Sequence, residues 1–207
     1  MSVLLEMKDI EKSFNDTAVL KKVDFSVKAG EVHALMGENG AGKSTLIKIL
    51  TGIYPKDGGQ IYWNGQPVEI RNRTDASKLG IGVIYQELSL IPTLTVMQNV
   101  MLGKEEGRAG IINTKKMKKK VSELIQKYGF GIRPDAIVET LTIAQRQTIE
   151  ILKALSEDSK LIIMDEPTAS LSTKESDALF QIIEQLRKDG VCIIYISHRL
   201  EEVYRLS

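Results

Sequence analysis

The first part of the chain alternates short apolar runs with turn-forming residues, which is the pattern of β-strands. Strands are predicted over residues 3–7, 23–27, 32–36, 60–63 and 81–85. Turn segments rich in glycine, asparagine or aspartate lie between them, at 13–16, 56–59 and 64–65. Because such turns join neighbouring antiparallel strands, we expect an antiparallel β portion near the N-terminus.

The pattern changes to helical spacing from residue 95 to about residue 155. Helices are predicted over 96–102, 114–128 and 143–155, followed by strand 161–164, helix 173–188 and strand 191–196. Ser172 and Glu175 have the spacing of a capping box at the start of that last helix. We therefore predict an α/β domain over residues 1–207, with a core of 1–94 and 156–207 and an inserted helical subdomain of about 95–155.

Charge and cysteine content narrow the possible classes of protein. The chain has 207 residues, with 28 Lys plus Arg against 27 Asp plus Glu, so no overall field points to a nucleic-acid partner. Its single cysteine, Cys192, lies in an apolar run, which favours a buried thiol over a reactive one. The sequence has neither a signal-peptide pattern nor an apolar stretch of about eighteen residues. These features fit a cytoplasmic protein.

One basic run stands out, and it has two interpretations. It consists of Lys115, Lys116, Lys118, Lys119 and Lys120. Apolar residues follow at helical spacing, which favours a solvated helix face over a phosphate-binding patch.

The most specific motif is G-x-x-x-x-G-K-[ST], which lies between a predicted strand and a predicted helix. Its residues are Gly37, Glu38, Asn39, Gly40, Ala41, Gly42, Lys43, Ser44 and Thr45. In that setting backbone N–H groups and the positive helix end converge on an anion, and the glycines let the chain wrap closely around it. Lys43 is expected to reach the β- and γ-phosphates and Ser44 to hold Mg²⁺. A turn that only caps a helix is the alternative, but the complete motif favours binding of a nucleoside triphosphate.

A second signal is the pair of carboxylates, Asp165 and Glu166, that follows the apolar residues 161–164. Parallel sheets bind ligands at the carboxyl ends of their strands, where these acids are expected to lie. Asp165 would hold Mg²⁺ through water, and Glu166 would polarise the attacking water or accept its proton. Buried carboxylates without a metal or a donor are costly, which argues against a purely structural role. Together with the phosphate loop, the pair predicts hydrolysis as well as binding.

Read in order, the phosphate loop, Gln86, the segment DEPT at 165–168 and the segment SHR at 197–199 resemble the nucleotide-binding domain of ABC transporters. The resemblance runs from about residue 3 to the last residue. Residues 50–54, 80–103 and 162–171 resemble the ATPase of bacterial monosaccharide importers that serve ribose, galactose or xylose. The resemblance implies a P-loop NTPase sheet core with an N-terminal antiparallel portion and an inserted helical subdomain. It also implies ATP with Mg²⁺, and ATP hydrolysis that drives import of a monosaccharide through a separate membrane permease.

The resemblance assigns roles to three further residues. Phe14 matches the aromatic residue that stacks on adenine, and Gln86 matches the glutamine that reaches Mg²⁺ and the attacking water. His198 matches the switch histidine that contacts the γ-phosphate. Without the resemblance these are an ordinary loop aromatic, a polar residue ending a strand and a structural histidine.

The signature segment departs from the family pattern. Where the family has LSGGQ, this chain has Leu141, Thr142, Ile143, Ala144 and Gln145. In the family this segment closes on the γ-phosphate bound by the opposite subunit. Thr142 keeps a hydroxyl, whereas Ala144 cannot freely take glycine conformations and Ile143 adds a branched side chain. Our hypothesis is that Thr142, Ile143, Ala144 and Gln145 complete a weakened or noncatalytic site, while Lys43, Asp165 and Glu166 serve a competent one.

The resemblance also implies partners and a location. A second nucleotide-binding domain, in the same longer polypeptide or a dimer, would complete the ATP sites, and transmembrane permease subunits would dock near residues 86–95. A solute-binding protein would be an indirect partner, and this chain would lie peripherally at the cytoplasmic face of the inner membrane. Family domains continue beyond the switch histidine, so we expect a C-terminally incomplete domain. The alternatives are a soluble ABC ATPase without a membrane partner and a regulatory half with weak catalysis.

Overall fold

The structure, a computed structural model, describes residues 2–38, 40–105, 107–108 and 111–206. In chain order, the first elements are β1 (Val3–Phe14), β2 (Thr17–Lys28), β3 (Val32–Leu35), α1 (Lys43–Leu50), β4 (Gly58–Trp63), β5 (Gln66–Val68), α2 (Arg73–Leu79), β6 (Ile81–Ile84) and α3 (Val96–Met101). They are followed by β7 (Gly107–Arg108), β8 (Ile111–Ile112), α4 (Thr114–Tyr128), α5 (Ile143–Leu155), β9 (Leu161–Asp165), α6 (Thr173–Lys188), β10 (Cys192–Ile196) and α7 (Leu200–Leu206).

The chain divides into two compact units. The first unit contains residues 1–83, 159–166 and 186–207, and the second contains 84–158 and 167–185. The expected subdomain boundaries at 95 and 155, and the expected incompleteness of the domain, stay predictions.

The N-terminal sheet of the first unit is antiparallel, with strand order β2-β1-β4-β5. A tight turn joins β1 to β2, where Asn15 and Asp16 have φ of 44° and 62°. Two successive positive φ values match the right-handed twist of a hairpin. Strands β1 and β2 are longer than the sequence predicts. Register shifts, including one between Met7 and Ile10, interrupt the regular alternation of apolar and polar residues on which that prediction depends. Asp9 within that stretch has φ of 50°.

The second sheet of this unit is parallel, with strand order β3-β10-β9-β6. Strand β10 is buried throughout, which fits its unbroken apolar sequence. Its last residue, Ile196, pairs with Leu35 of β3 on one side and with Asp165 of β9 on the other. The carboxyl ends of three neighbouring strands therefore lie at one level, and the loops that follow them begin at one edge of the sheet.

One hydrophobic core holds the elements of the first unit together. Helix α1 buries Leu46, Ile47, Ile49 and Leu50 in this core. Cys192 of β10 belongs to it as well, and burial raises the pKa of its thiol. The expected buried, unreactive environment of this cysteine is thus present.

The second unit is mainly helical. Helix α4 is capped by the Asn113 side chain and buries Met117, Val121 and Ile125 on one face. Of the basic run, Lys115, Lys116, Lys118 and Lys119 are exposed. Lys120 donates to the carbonyl of Ser156 at the end of α5, 3.1 Å away. Among residues 2–38, 40–105, 107–108 and 111–206, no helix is long and apolar enough to cross a lipid bilayer.

Candidate functional site

The glycine-rich loop connects β3 to α1 in the first unit. Gly37, Gly40 and Gly42 all have positive φ, of 153°, 87° and 89°. Gly42 precedes α1 directly, and its positive φ favours glycine; a Cβ there would lie 2.7 Å from Cδ2 of Leu20, so that side chain would have to shift. Asn39 lies outside the described residues.

The side chains of the loop are open to solvent or point back to its backbone. Glu38 and Ala41 are exposed, and the Ala41 N–H donates to the Glu38 carbonyl at 3.1 Å. Lys43 Nζ donates to the carbonyls of Gly37 and Glu38. Its ammonium group therefore lies over the loop, where the phosphates of a nucleotide are expected. Ser44 is exposed in the first turn of α1, and Thr45 is half-buried.

Asp165 ends β9 at the same edge of the sheet and is half-buried. Burial, and next the charge of Glu166, raise the pKa of its carboxyl group, against the opposing effect of Lys43 and Lys48. A cation bound beside Asp165 would stabilise the charged form of this carboxyl group. A serine hydroxyl and a carboxylate are hard oxygen donors, and Mg²⁺ is commonly bound by one or two carboxylates together with phosphates and water. Ser44 and Asp165 thus suit Mg²⁺.

Glu166 has an unusual backbone conformation. Its φ is 45°, which is uncommon for a residue other than glycine, asparagine or aspartate. Its N–H donates to the carbonyl of Ile196 at the end of β10, at 3.0 Å. Strained residues of this kind occur often at functional sites.

The side chain of Glu166 is paired with His198, whose Nδ1 lies 3.0 Å from Oε1 of the carboxylate. An ionised carboxylate can only accept hydrogen bonds, so an ionised Glu166 requires the imidazole proton on Nδ1. Nε2 of a neutral ring is then an acceptor. The pair can take up one further proton, and a proton on Nε2 makes that atom a donor to an anion.

Phe14, the predicted adenine-stacking residue, ends β1. Its side chain is 37% exposed and packs edge-on against Tyr54, with ring centroids 5.2 Å apart. Lys12 Nζ lies 5.5 Å from the centroid of the Phe14 ring and pairs with Asp57 at 2.7 Å. The ring is thus held in place at its edge, and part of its surface remains open for stacking.

The other predicted site residues belong to the second unit. Gln86 is exposed in the loop after β6. Thr142 begins α5 with a capping box: its hydroxyl accepts from the Gln145 N–H at 3.3 Å, and its own N–H donates to Gln145 Oε1 at 3.1 Å. Ile143 is 51% exposed, and Ala144 is half-buried. In this irregular signature, Thr142 and Gln145 therefore organise the start of the helix themselves.

Two buried carboxylates, Glu150 and Glu202, were not singled out by sequence analysis, and both hold loops that carry predicted site residues. Glu150 of α5 accepts from the Ser89 N–H at 2.9 Å, in the loop after Gln86. Glu202 of α7 binds residues on either side of His198. Glu150 reaches a segment 61 residues away, and Glu202 reaches back to β10 and the loop before α7, so neither contact follows from helical spacing.

The family model described as ABC transporter matches residues 20–169. The chain belongs to the ABC transporter family. It is 49% identical over 205 residues to the ribose import ATP-binding protein of Geobacillus kaustophilus (strain HTA426), covering 98% of this chain and 42% of that protein. It is 50% identical over 204 residues to the protein of the same name from Yersinia pestis, covering 99% and 40%. The chain thus spans less than half the length of these relatives.

Solved structures of ABC cassettes have the same fold. An ATP-binding cassette of an ABC transporter in its ADP conformation superposes with a TM-score of 0.89 at 26% identity, over 100% of this chain and 85% of that one. A nucleotide-free cassette gives a TM-score of 0.87 at 26% identity, over 99% and 85%. The resemblance to an ABC nucleotide-binding domain and the predicted α/β fold class are confirmed.

Proposed function

We propose that this chain binds and hydrolyses ATP as part of the ATP-binding subunit of a monosaccharide importer. The observation that carries the proposal is the convergence of the phosphate loop, Asp165 and the Glu166–His198 pair at one edge of the parallel sheet. The loop binds an anion, the acids suit a cation, and the pair can accept a proton. These are the parts that phosphoryl transfer to water requires.

In this proposal each residue has a defined task. The loop residues from Gly37 to Thr45 bind the phosphates, and Lys43 exchanges its carbonyl partners for β- and γ-phosphate oxygens. Ser44, Gln86 and Asp165 hold Mg²⁺, which supplies charge neutralisation when bound. Glu166 orients the attacking water and accepts its proton.

Two more residues act at the two ends of the nucleotide. His198 donates from Nε2 to the γ-phosphate once the Glu166–His198 pair has gained a proton. Phe14 stacks on the adenine through the exposed part of its ring. Both roles require only groups that are open to solvent.

The transport function is proposed from the relatives, whose names describe ribose import. A transmembrane permease, a second nucleotide-binding domain and, indirectly, a solute-binding protein would complete the assembly. This chain would lie peripherally at the cytoplasmic face of the membrane. ATP binding would draw the two nucleotide-binding domains together and shift the permease between conformations. The residues from Thr142 to Gln145 would form the weaker half of the opposite ATP site.

The proposal is tested in vesicles that contain the full-length protein with its permease and solute-binding protein. We expect ATP-dependent accumulation of a monosaccharide, with ribose, galactose and xylose as probes. Glu166→Gln should abolish accumulation while ATP still binds. ATP hydrolysis without uptake of any of the three sugars would contradict the proposed transport function.

A further inference from the structure

We propose that Glu202 is a positioning residue for His198: its buried carboxylate fixes the loop on which the histidine is carried. The inference rests on the proposed ATP hydrolysis, in which His198 contacts the γ-phosphate. Glu202 itself is not one of the residues proposed to contact ATP. It acts through its neighbours in the fold.

The side chain of Glu202 is 7% exposed, and its carboxylate accepts hydrogen bonds from three side chains. Oε2 accepts from Tyr195 Oη at 2.9 Å and from Ser197 Oγ at 2.8 Å. Oε1 accepts from Arg199 Nη1 at 3.0 Å. Both oxygens are therefore engaged, and the guanidinium compensates the buried charge.

The positions of the donors explain what this network does. Ser197 and Arg199 are the two residues that flank His198, and Tyr195 is a fully buried residue of β10. The Ser197 hydroxyl donates to Glu202 and also accepts from the Arg199 N–H at 3.0 Å. The loop is thus tied on both sides of the histidine to a carboxylate that is itself anchored to the sheet.

His198 needs such support because its own packing does not fix it. Its side chain is 67% exposed, so few neighbours restrain the imidazole. Its contact with Glu166 at 3.0 Å consequently depends on the backbone of the loop. A change of about 1 Å in the position of a catalytic group can lower a rate about 100-fold.

A purely stabilising role is the competing explanation, but the chemistry argues against it. Burying the Glu202 carboxylate costs desolvation energy, and well-packed apolar residues often stabilise a fold equally well or better. The network is arranged instead around His198, an exposed histidine that faces the carboxylate of Glu166. Glu202 is best explained by the geometry it imposes on the loop.

The test measures ATP hydrolysis and ATP binding by the full-length assembly with Glu202→Gln. Glu201→Gln is the matched control, since Glu201 is the adjacent, exposed acid of the same helix. We expect Glu202→Gln to lower kcat by about tenfold or more, with the Kd for ATP changed by less than about twofold, because the phosphate loop is untouched. Glu201→Gln should leave both unchanged. Equal loss of ATP affinity and kcat would indicate general destabilisation and overturn the proposal.

A double mutant separates positioning from an independent contribution. In the His198→Ala background, Glu202→Gln should lower kcat little further, because its effect passes through the histidine. Full additivity of the two losses would overturn the proposal.

Tyr195→Phe replaces Glu202→Gln as the test variant if Glu202→Gln does not fold, since it removes one hydrogen-bond donor to Glu202 and keeps the buried ring. It should lower kcat with ATP affinity retained, and an unchanged kcat would then count against the proposal.

A readout without catalysis distinguishes this inference from the proposed function. The ¹⁵N shift of the His198 imidazole, assigned by its loss in His198→Ala, reports the hydrogen bond to Glu166. We expect this shift to move in Glu202→Gln and not in Glu201→Gln. If the wild-type assembly hydrolyses no ATP, the proposed function fails, whereas an unmoved shift overturns the positioning role alone.

Discussion

His198 Nδ1 lies 3.0 Å from Glu166 Oε1, and the backbone N–H of Glu166 donates to Ile196, two residues before that histidine. The acid and the histidine are therefore linked both through their side chains and through the ends of adjacent strands. Each keeps the other oriented toward the edge where the phosphate loop begins. This pairing predicts how ATP hydrolysis and ATP binding change when Glu166 is replaced by an uncharged residue.

Glu166→Gln should preserve this geometry and remove the base. The glutamine Oε1 can still accept from His198 Nδ1, so the imidazole should keep its position. We expect ATP hydrolysis to fall by about 10²–10⁴-fold, the usual contribution of a general base, with ATP binding retained. Single-turnover hydrolysis and equilibrium nucleotide binding measure the two effects. Glu201→Gln is the charge-matched control, and a Glu166→Gln variant with normal hydrolysis would exclude Glu166 as the base.

Asp165→Asn should stabilise the protein at neutral pH, although Asp165 is proposed to serve the ATP site. Burial and the charge of Glu166 raise the pKa of Asp165 above its ordinary value of 3.8, so the folded state holds this proton more tightly than the unfolded state does. Stability therefore falls as the pH rises from 3.8 through the folded-state pKa, and the cost persists at pH 7. Replacement by asparagine removes that cost.

Thermal unfolding at several pH values measures this effect. We expect Asp165→Asn to have a higher Tm than the wild type at pH 7, and a smaller difference toward pH 4. Asp57→Asn is the control, for which we expect the opposite change, a lower Tm at pH 7. A hydrogen bond from Lys12 and one from the Ser13 N–H lower the pKa of Asp57, so its charge contributes stability that is lost in acid. Destabilisation by Asp165→Asn at pH 7 would contradict the assigned electrostatics.

The sheets and the phosphate loop were predictable because their signals are local. The apolar runs at 161–164 and 191–196 indicate strands buried on both faces, and the structure has β9 and β10 there. The capping box of Ser172 and Glu175 is also present, with the Glu175 N–H 3.4 Å from the Ser172 hydroxyl oxygen. Where short-range spacing determines the structure, sequence reasoning succeeds.

Short amphipathic elements were missed for a physical reason. Helix α2 buries only Ala76, and the exposed Leu200 in the first turn of α7 obscures its apolar face. Both helices have only seven residues, which is too short for apolar periodicity to stand out. The role of Glu202 was not predictable either, because its donors come from β10 and the following loop and meet only in the folded chain.

Two glycines with similar backbone conformations should differ in their tolerance of alanine. Gly52 has φ of 72° and Gly65 has φ of 75°, so both substitutions carry a left-handed strain of about 1 kcal/mol. A Cβ at Gly52 would lie 2.4 Å from the backbone of Asn72, whereas a Cβ at Gly65 would meet nothing within 4 Å. The backbone contact should add about 1–3 kcal/mol of destabilisation at Gly52 alone.

Urea unfolding of Gly52→Ala and Gly65→Ala compares the two directly. Gly65→Ala should lower the free energy of unfolding by about 1 kcal/mol, and Gly52→Ala by about 2–4 kcal/mol. The difference between them isolates the close approach of the Asn72 backbone, since the strain in φ is shared. Equal losses would mean that residues 51–53 move away from Asn72 at little cost.

The irregular signature can be tested against an equivalent helix start in the same unit. Thr142 and Thr95 both cap a helix with a capping box, to Gln145 and Gln98 respectively. Replacing either threonine with alanine should therefore lower stability by about 1 kcal/mol through loss of the cap. Only Thr142 belongs to the segment proposed to face the γ-phosphate of the opposite site.

Thr142→Ala should consequently lower ATP hydrolysis by the full-length assembly, and by more than Thr95→Ala does. Thr142→Ser keeps the hydroxyl, so it should retain both the helix cap and the hydrolysis rate. Unfolding measurements on all three variants separate the cap from the site, because equal destabilisation with unequal hydrolysis requires a second role for Thr142. If Thr142→Ala hydrolyses ATP at the wild-type rate, residues 142–145 act only as the start of α5. The Thr142 hydroxyl then has no part in ATP hydrolysis at the opposite site.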